Sequence, residues 1–172
     1  MPSLSPKDPF TGKPLGNFEL HSFSQVQAKT SALVEGQKLW KRRPLEQRIS
    51  LVREASSYFT ENAEAIAVDI CEQMGRPLHQ ARGEIKGFLE RALYLCDIAP
   101  EVLSPDVVGE KPHFHRSIEH VPLGLIFVIS AWNYPLLIAV NSVVPGLIAG
   151  NTILLKHSSL TPKIGKHFEN AF

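Results

Sequence analysis

Apolar residues in the first hundred positions recur every three or four residues, which is the spacing of amphipathic α-helices. The pattern predicts four helices, and they begin near Ser24, at Pro44, near Asn62 and at Leu78. Gly75, with Pro77 just beyond it, is expected to end the third helix. Pro100 is expected to end the fourth, since proline cannot donate a helical hydrogen bond. Each helix should bury one face and expose the other.

Continuous apolar runs replace the helical spacing after residue 122. Residues 125–129 (Leu-Ile-Phe-Val-Ile) and 152–156 (Thr-Ile-Leu-Leu-Lys) are typical of parallel strands that are buried on both faces. Residues 136–149 between them predict a helix, with Gly150 in the C-terminal capping position and a kink or break at Pro145. Such a unit joins two parallel strands through a right-handed crossover.

Two further segments carry weaker patterns. Residues 114–121 alternate loosely and predict a strand, with His113 and His115 on one face of it. Thr161 and Pro162 predict the start of a last helix, in which the threonine is the cap. The two histidines have no further ligands nearby at a known spacing, so no metal site is expected.

The composition narrows the class of protein. With 44% hydrophobic and 20% charged residues, the chain resembles an ordinary globular protein and not a disordered one. Its net charge of +1 argues against nucleic-acid binding. Residues 120–155 contain no Asp, Glu, Lys or Arg, but proline and asparagine interrupt the run, so no membrane segment is expected. The first ten residues contain no apolar run and predict no signal peptide, so the expected location is cytoplasmic.

Two turns follow the predicted strands, at residues 130–135 and 156–161. Ligands of open α/β sheets bind beyond the carboxyl ends of the strands, so these turns form the candidate site, although the residues alone do not name the ligand. By residue type, Asn133 is either a cap for the following helix or a neutral hydrogen-bond donor. By residue type alone, Trp132 is interpreted as a core aromatic residue and Lys156 as a solvated charge at a strand end.

Four short motifs carry a resemblance to a known family. They are Asp-Pro-Phe-Thr-Gly at residues 8–12, Met-Gly-Arg-Pro-Leu at 74–78 with Glu84 after it, Ile-Ser-Ala-Trp-Asn-Tyr-Pro at 129–135, and Pro-Gly-Leu-Ile-Ala-Gly-Asn-Thr at 145–152 with Leu-Lys at 155–156. In this order they resemble the aldehyde dehydrogenase superfamily, and residues 80–84 with Lys156 and His157 look most like its NAD(P)-dependent succinate-semialdehyde dehydrogenases. The implied fold class is α/β, with N-terminal helices and the first strand–helix–strand unit of a parallel, Rossmann-like sheet that is incomplete here.

The resemblance implies roles for residues of both turns. Asn133 matches the family's hydrogen-bond donor to the oxyanion that forms from the aldehyde. The residues that match cofactor-binding positions are Ile129, Ser130, Ala131, Trp132, Lys156, Ser158 and Ser159. Ala131 replaces a proline that is usual in the family. Many NAD-preferring members have Glu where this chain has Ser159, and a neutral hydroxyl does not repel a 2′-phosphate, so the predicted cofactor is NADP or NAD. The implied substrate is a small-molecule aldehyde.

The resemblance also implies how the chain is divided. Residues 1–112 match the N-terminal helical part of the cofactor-binding domain, residues 113–122 the start of an oligomerisation arm, and residues 123–172 the first, truncated βαβ unit of the NAD(P)-binding domain. The family's catalytic Cys and Glu come beyond residue 172, so Cys71 and Cys96 are not candidates for the nucleophile.

Several expectations concern the 172 residues by themselves. They should be inactive alone, and they should be poorly soluble or loosely ordered in the C-terminal third, because two strands are a marginal sheet. The complete protein is expected to be a homo-oligomer. The alternative is a non-catalytic nucleotide-binding module or an interaction module.

Overall fold

The computed structural model of the protein describes residues 3–109 and 111–172. Met1, Pro2 and Glu110 lie outside the described residues. The first two belong to the N-terminal segment for which no signal peptide is predicted. Two short antiparallel strands, β1 (Ser3–Leu4) and β2 (Phe18–Glu19), precede the helices.

The four predicted helices are confirmed. They are α1 (Phe23–Trp40), α2 (Leu45–Glu61), α3 (Ala63–Met74) and α4 (Leu78–Val102). Gly75 ends α3 with a φ of 70°, a left-handed conformation that glycine adopts without strain. The prediction that Pro100 ends α4 is wrong. Pro100 lies in the last turn, where the helix loses one hydrogen bond, and the Leu103 N–H still donates to the Ala99 carbonyl at 2.9 Å.

The segment after α4 forms a small hairpin. Strand β3 (Asp106–Val107) pairs with β4 (Ser117–Ile118) in antiparallel fashion, so the strand predicted over residues 114–121 is reduced to two residues. His113 has a φ of 65° in a turn, and His115 lies outside the strand. The expectation that both histidines share a strand face is therefore wrong.

The second half of the chain forms the predicted strand–helix–strand unit. Strand β5 (Leu125–Ile129) leads into helix α5 (Pro135–Ile148), and strand β6 (Thr152–Lys156) leads into helix α6 (Pro162–Ala171). The strands are parallel, in a register that pairs the first residue of each, Leu125 with Thr152, and the last, Ile129 with Lys156. This confirms the predicted α/β class with an incomplete parallel sheet.

Two details of this unit concern proline and glycine. Of the kink or break predicted at Pro145, the break does not occur, because α5 continues to Ile148 and the Ala149 N–H donates to the Pro145 carbonyl at 2.9 Å, and the kink stays a prediction. Gly150 follows the helix with a φ of 93° and donates its N–H to the Leu147 carbonyl, so its predicted role in ending the helix is confirmed.

Burial of β5 on both faces was expected and is wrong. Val128 is buried, but Phe127 and Ile129 are 58% and 67% exposed. Helix α5 packs against one face, where Gly146 lies against Ile126 and Ile153. No described element covers Phe127 and Ile129 on the other face to the same extent, so these apolar side chains remain in contact with solvent.

The core lies between α2, α3, α4, α5 and α6. The rings of Phe59, Phe88 and Phe168 pack together with centroids 4.2 to 5.8 Å apart. On the side of α6, the His167 imidazole joins the Tyr58 hydroxyl to the Asp69 carboxylate, with both hydrogen bonds at 2.9 Å. The aromatic cluster and this polar chain fix α6 against α2 and α3.

Side chains from the N-terminal helices hold the C-terminal end of α5. Gln37 Nε2 donates to the Gly150 carbonyl at 3.1 Å, Trp40 Nε1 to Leu147 at 2.8 Å, and Arg48 Nε to Ile148 at 2.8 Å. The last carbonyls of a helix have no partner within it, so Arg48 and Gln37 satisfy carbonyls that burial would leave unpaired, and Trp40 adds a second donor to the Leu147 carbonyl, which also accepts from the Gly150 N–H. Among the described residues, no helix combines the length and the apolar character that crossing a membrane requires.

The Trp40 hydrogen bond can be tested by Trp40→Phe, which keeps an aromatic ring and removes the donor to Leu147. The free energy of unfolding, measured by urea denaturation, should fall by about 0.5–1.5 kcal/mol, because the Leu147 carbonyl loses one donor and keeps the Gly150 N–H. Trp132→Phe is the matched control, since Trp132 is 49% exposed, and it should change stability by less than about 0.5 kcal/mol. Equal losses in the two variants would contradict this role of Trp40.

Candidate functional site

The two predicted turns begin side by side at the carboxyl edge of the sheet. Ile129 pairs with Lys156 in the ladder, and the Ser130 N–H donates to the Lys156 carbonyl at 3.1 Å. The chain then leaves β5 through residues 130–134 and leaves β6 through residues 157–161. The structure therefore places both turns at the edge where ligands of open parallel sheets bind.

His157 connects the second turn to the start of α5. Its Nε2 lies 3.0 Å from the Pro135 carbonyl, which makes that nitrogen the donor. Its Nδ1 accepts from the Ser158 N–H at 3.0 Å and from the Thr161 hydroxyl at 3.1 Å. Burial lowers the pKa of His157, and the charge of Lys156 lowers it further, so the neutral imidazole matches the hydrogen bonds that it makes.

Thr161 occupies the predicted cap position of α6, but its side chain does not cap the helix. The hydroxyl bonds to His157, and no side-chain cap hydrogen bond is found in the described structure at this terminus. The Thr161 hydroxyl therefore stabilises the second turn and does not bind the first N–H groups of α6.

Ser130 is the residue of the first turn that points to a ligand. It is 3% exposed, and its Oγ is a buried side-chain oxygen with no hydrogen-bond partner among the described residues. An unpaired buried hydroxyl costs free energy, so the Ser130 Oγ needs a partner from beyond the described residues.

The neighbours of Ser130 form an exposed wall. Ile129 and Trp132 are 67% and 49% exposed, and Ala131 is exposed as well. The interpretation of Trp132 as a core aromatic residue is therefore wrong. Apolar side chains beside a few polar groups are the usual lining of a cofactor site.

The second turn supplies the polar side. Lys156 and Ser159 are exposed, and Ser158 is half-buried, with its Oγ accepting from the Leu160 N–H at 3.2 Å. No ion pair of Lys156 is found among residues 3–109 and 111–172, and its side chain is exposed to solvent. A lysine and neutral hydroxyl groups together suit ribose or phosphate oxygens.

Asn133 is exposed on the first turn, and the structure does not use it as a helix cap. Tyr134 occupies the cap position of α5, and no side-chain cap hydrogen bond is present there. The Asn133 carbonyl instead accepts a hydrogen bond from Arg76. The cap interpretation is therefore wrong, and the role as an oxyanion donor stays a prediction. No hydrogen bond joins Asn133 to the second turn in the part of the chain that the structure describes.

Arg76 and Glu84 are the site residues to which the sequence reasoning gave no role. The Glu84 side chain is 1% exposed, pairs with Arg76, and accepts from the Leu136 N–H at 2.9 Å. Burial raises the pKa of Glu84, and its hydrogen bonds and Arg76 oppose that shift. The available signal was a charged residue in an otherwise apolar helix stripe, between Ala81 and Ile85, but the pattern could not identify its partner.

Neither cysteine belongs to the turns. Cys71 lies on α3 and Cys96 is buried on α4, where burial raises its pKa. A raised pKa disfavours the thiolate that nucleophilic chemistry requires. Within the described residues, no group of acidic, cysteine or histidine side chains is arranged to hold a metal ion.

Comparison with known proteins identifies relatives over almost the whole chain. The family model described as the aldehyde dehydrogenase family matches residues 3–172. A succinate-semialdehyde dehydrogenase [NADP(+)] of Deinococcus radiodurans is 30% identical over 165 residues, which are 96% of this chain and 34% of that protein. The chain thus spans about a third of the length of the curated relatives it matches.

Solved structures show the same fold. An NADP-dependent glyceraldehyde-3-phosphate dehydrogenase from Bacillus halodurans, complexed with NADP, has a TM-score of 0.88 at 25% identity, covering 99% of this chain and 38% of its own. A succinic semialdehyde dehydrogenase from Streptococcus pyogenes, in complex with NADP+, has a TM-score of 0.90 at 22% identity, covering 98% of this chain and 37% of its own.

The contact between α6 and the second turn can be tested by Gly165→Ala. The added Cβ would lie 2.8 Å from the His157 Cβ, so α6 or the turn must shift, and the free energy of unfolding should fall by about 1–3 kcal/mol. Gly83→Ala on α4 is the matched control, because nothing lies within 4 Å of its added Cβ. The control should raise stability by up to about 1 kcal/mol through helix propensity. A similar gain in Gly165→Ala would contradict the close contact.

The neutral state of His157 predicts a pH dependence. The folded-state pKa lies below the ordinary value of 6.5, so this stabilisation is present above that value and is lost as the pH falls through the folded pKa. We expect His157→Gln to lose less unfolding free energy than the wild type between about pH 7.5 and pH 5. His79→Gln, at an exposed position on α4, should keep the wild-type pH dependence. An unchanged pH dependence in His157→Gln would contradict a lowered pKa of His157 in the folded protein.

Proposed function

Because the chain belongs to the aldehyde dehydrogenase family, we propose that it contributes the first wall of an NAD(P) site in an enzyme that oxidises an aldehyde to the carboxylic acid. The observation that carries this proposal is the pairing of Ile129 with Lys156, beside the unpartnered hydroxyl of Ser130. Together they set an apolar wall and a polar turn at one edge of a parallel sheet. A dinucleotide bound at this edge would supply the hydride acceptor that oxidation of an aldehyde requires.

The residues of the first turn divide into two roles in this proposal. Ile129, Ser130, Ala131 and Trp132 lie along the dinucleotide through backbone and van der Waals contacts, with the Ser130 hydroxyl available for a hydrogen bond. Asn133 follows them on the exposed part of the turn. Its amide is a neutral donor, which suits the oxyanion that forms when a nucleophile attacks the aldehyde carbonyl.

The residues of the second turn hold the adenosine side. Lys156, Ser158 and Ser159 supply one cation and two hydroxyl groups where the strand ends. A carboxylate here would repel a 2′-phosphate, and none of these side chains carries one. This supports acceptance of NADP alongside NAD. The Deinococcus relative, whose name carries NADP(+), supports the same proposal.

Succinate semialdehyde is the substrate we propose. The support is the name of the Deinococcus relative, which is 30% identical over 96% of this chain. Cys71 and Cys96 lie on helices away from the turns, so the nucleophile of the reaction does not come from the described residues. We therefore propose that the nucleophile lies outside these 172 residues and that the 172 residues are inactive alone.

We also propose how the chain is divided and how the complete protein assembles. Residues 1–112 form the N-terminal helical part of the cofactor-binding domain, and residues 113–122 begin an oligomerisation arm. Residues 123–172 form the first, truncated βαβ unit of the NAD(P)-binding domain. The exposed hairpin of β3 and β4 supports an arm that packs against another subunit, since Val107 and Ile118 are 84% and 57% exposed. The complete protein is then a homo-oligomer.

Cofactor choice tests the proposal. In the protein expressed from its complete reading frame, succinate semialdehyde oxidation should proceed with NADP. Ser159→Glu should lower kcat/KM for NADP by about tenfold or more relative to NAD, because the carboxylate repels the 2′-phosphate. The measurement is initial-rate kinetics with each cofactor.

Ser159→Gln is the matched control, since it adds the same bulk without charge. It should leave the ratio of NADP to NAD efficiency within about threefold of the wild type. Equal effects of the two substitutions would contradict the placement of Ser159 at the ribose. Binding of NADP without turnover of any aldehyde would favour the non-catalytic nucleotide-binding module.

A further inference from the structure

We infer that Arg76 and Glu84 are positioning residues that set the orientation of the Asn133 amide for catalysis. The inference rests on the proposed function, because Asn133 matters only if an oxyanion forms beside it. The pair acts on the backbone of the turn and does not touch the substrate itself.

Glu84 anchors the arrangement. It lies on α4, its side chain is almost fully buried, and its Oε1 accepts from the N–H groups of Leu136 at 2.9 Å and Leu137 at 3.3 Å. These are two of the first N–H groups of α5, which have no partner within the helix. A carboxylate at a helix N-terminus is also favoured by the helix dipole. The start of α5 is therefore fixed to α4.

Arg76 extends this anchor to the turn. Its guanidinium pairs with Glu84 Oε2, donates through its other terminal nitrogen to the Asn133 carbonyl, and lies 4.4 Å from the centre of the Tyr134 ring. The planar guanidinium can serve these contacts at once, which a lysine ammonium on a flexible stem does less well. The peptide group between Asn133 and Tyr134 is thus held from one side by a hydrogen bond and a ring contact.

This arrangement leaves the Asn133 amide available. Its side chain is exposed and makes no hydrogen bond with any described residue, so its direction depends on the backbone that carries it. A donor to a developing oxyanion must be placed in advance and must not be occupied by another acceptor. The hydrogen bond to the Asn133 carbonyl restrains the backbone from which the side chain extends, and the amide itself stays unoccupied.

A double-mutant cycle with Asn133 tests the inference, in the protein expressed from its complete reading frame. Asn133→Ala should lower kcat by about 10²–10³, as loss of an oxyanion donor does. Arg76→Met should lower kcat by about tenfold through misplacement of the amide, while KM for NADP stays within about twofold. In the Asn133→Ala background, Arg76→Met should have less than about a twofold further effect on kcat.

Two variants separate positioning from folding. Arg76→Lys keeps the charge and should recover part of the lost kcat. Arg82→Met is the matched control, because Arg82 lies on α4, the helix of Glu84, and pairs with the exposed Glu64 at 2.7 Å, and it should leave kcat unchanged. All variants are compared by thermal unfolding, and Arg76→Lys carries the comparison if Arg76→Met does not fold.

The outcomes distinguish the two levels of the proposal. If Arg76→Met lowers kcat by the same factor with and without Asn133, the pair acts independently of the amide and the positioning role is overturned. The same holds if kcat and KM for NADP change together in Arg76→Lys and Arg76→Met. A wild-type protein that folds and binds NADP but oxidises no aldehyde would overturn the proposed function, and the positioning role would fall with it.

Discussion

The ends of α5 impose the constraint on which the rest of the structure depends. This helix contains no charged residue, yet its first N–H groups and last carbonyls must find partners in a buried setting. Glu84 supplies the acceptor at one end, and Gln37, Trp40 and Arg48 supply donors at the other. The helix is thereby fixed along its axis, with the signs of charge that its dipole favours at each end.

The position of the sheet and of the candidate site follows from this fixed helix. Strands β5 and β6 pack against α5, where Gly146 permits a close approach to Ile126 and Ile153. Asn151 closes the unit, since its side chain donates to the Gly146 carbonyl at 3.0 Å and accepts from the Gly124 N–H at 2.9 Å. The turns after the two strands then lie together, and His157 joins them through the Pro135 carbonyl. The hydrogen bonds of Asn151 and His157 thus stabilise the buried side of the two turns, and the other side of the turns is exposed to solvent.

The sequence pattern predicts this fold well where the signal is local and poorly where it is not. Apolar spacing and the glycine at position 75 predicted four helices, and the run over residues 125–129 predicted β5 in its correct bounds. Pro100 was wrongly expected to end a helix, because a proline in a last turn forfeits only one hydrogen bond. The expectation that β5 is buried on both faces was also wrong. Apolar residues show which faces of a strand can be buried, but they do not show whether another element of the described structure covers each face. Glu84 meets Leu136, 52 residues later, and no periodicity relates two such positions.

The order of the contacts along the chain has a consequence for synthesis. Four side chains that satisfy the ends of α5 belong to residues 37–84, namely Glu84 at its start and Gln37, Trp40 and Arg48 at its end, whereas the helix itself begins at Pro135. A ribosome therefore releases the acceptor and all three donors before the uncharged helix emerges, and domains fold from the N-terminus as they are made. When α5 emerges, these hydrogen-bond partners have already been synthesised. This order shortens the time for which an apolar segment with unpaired termini can bind chaperones or aggregate.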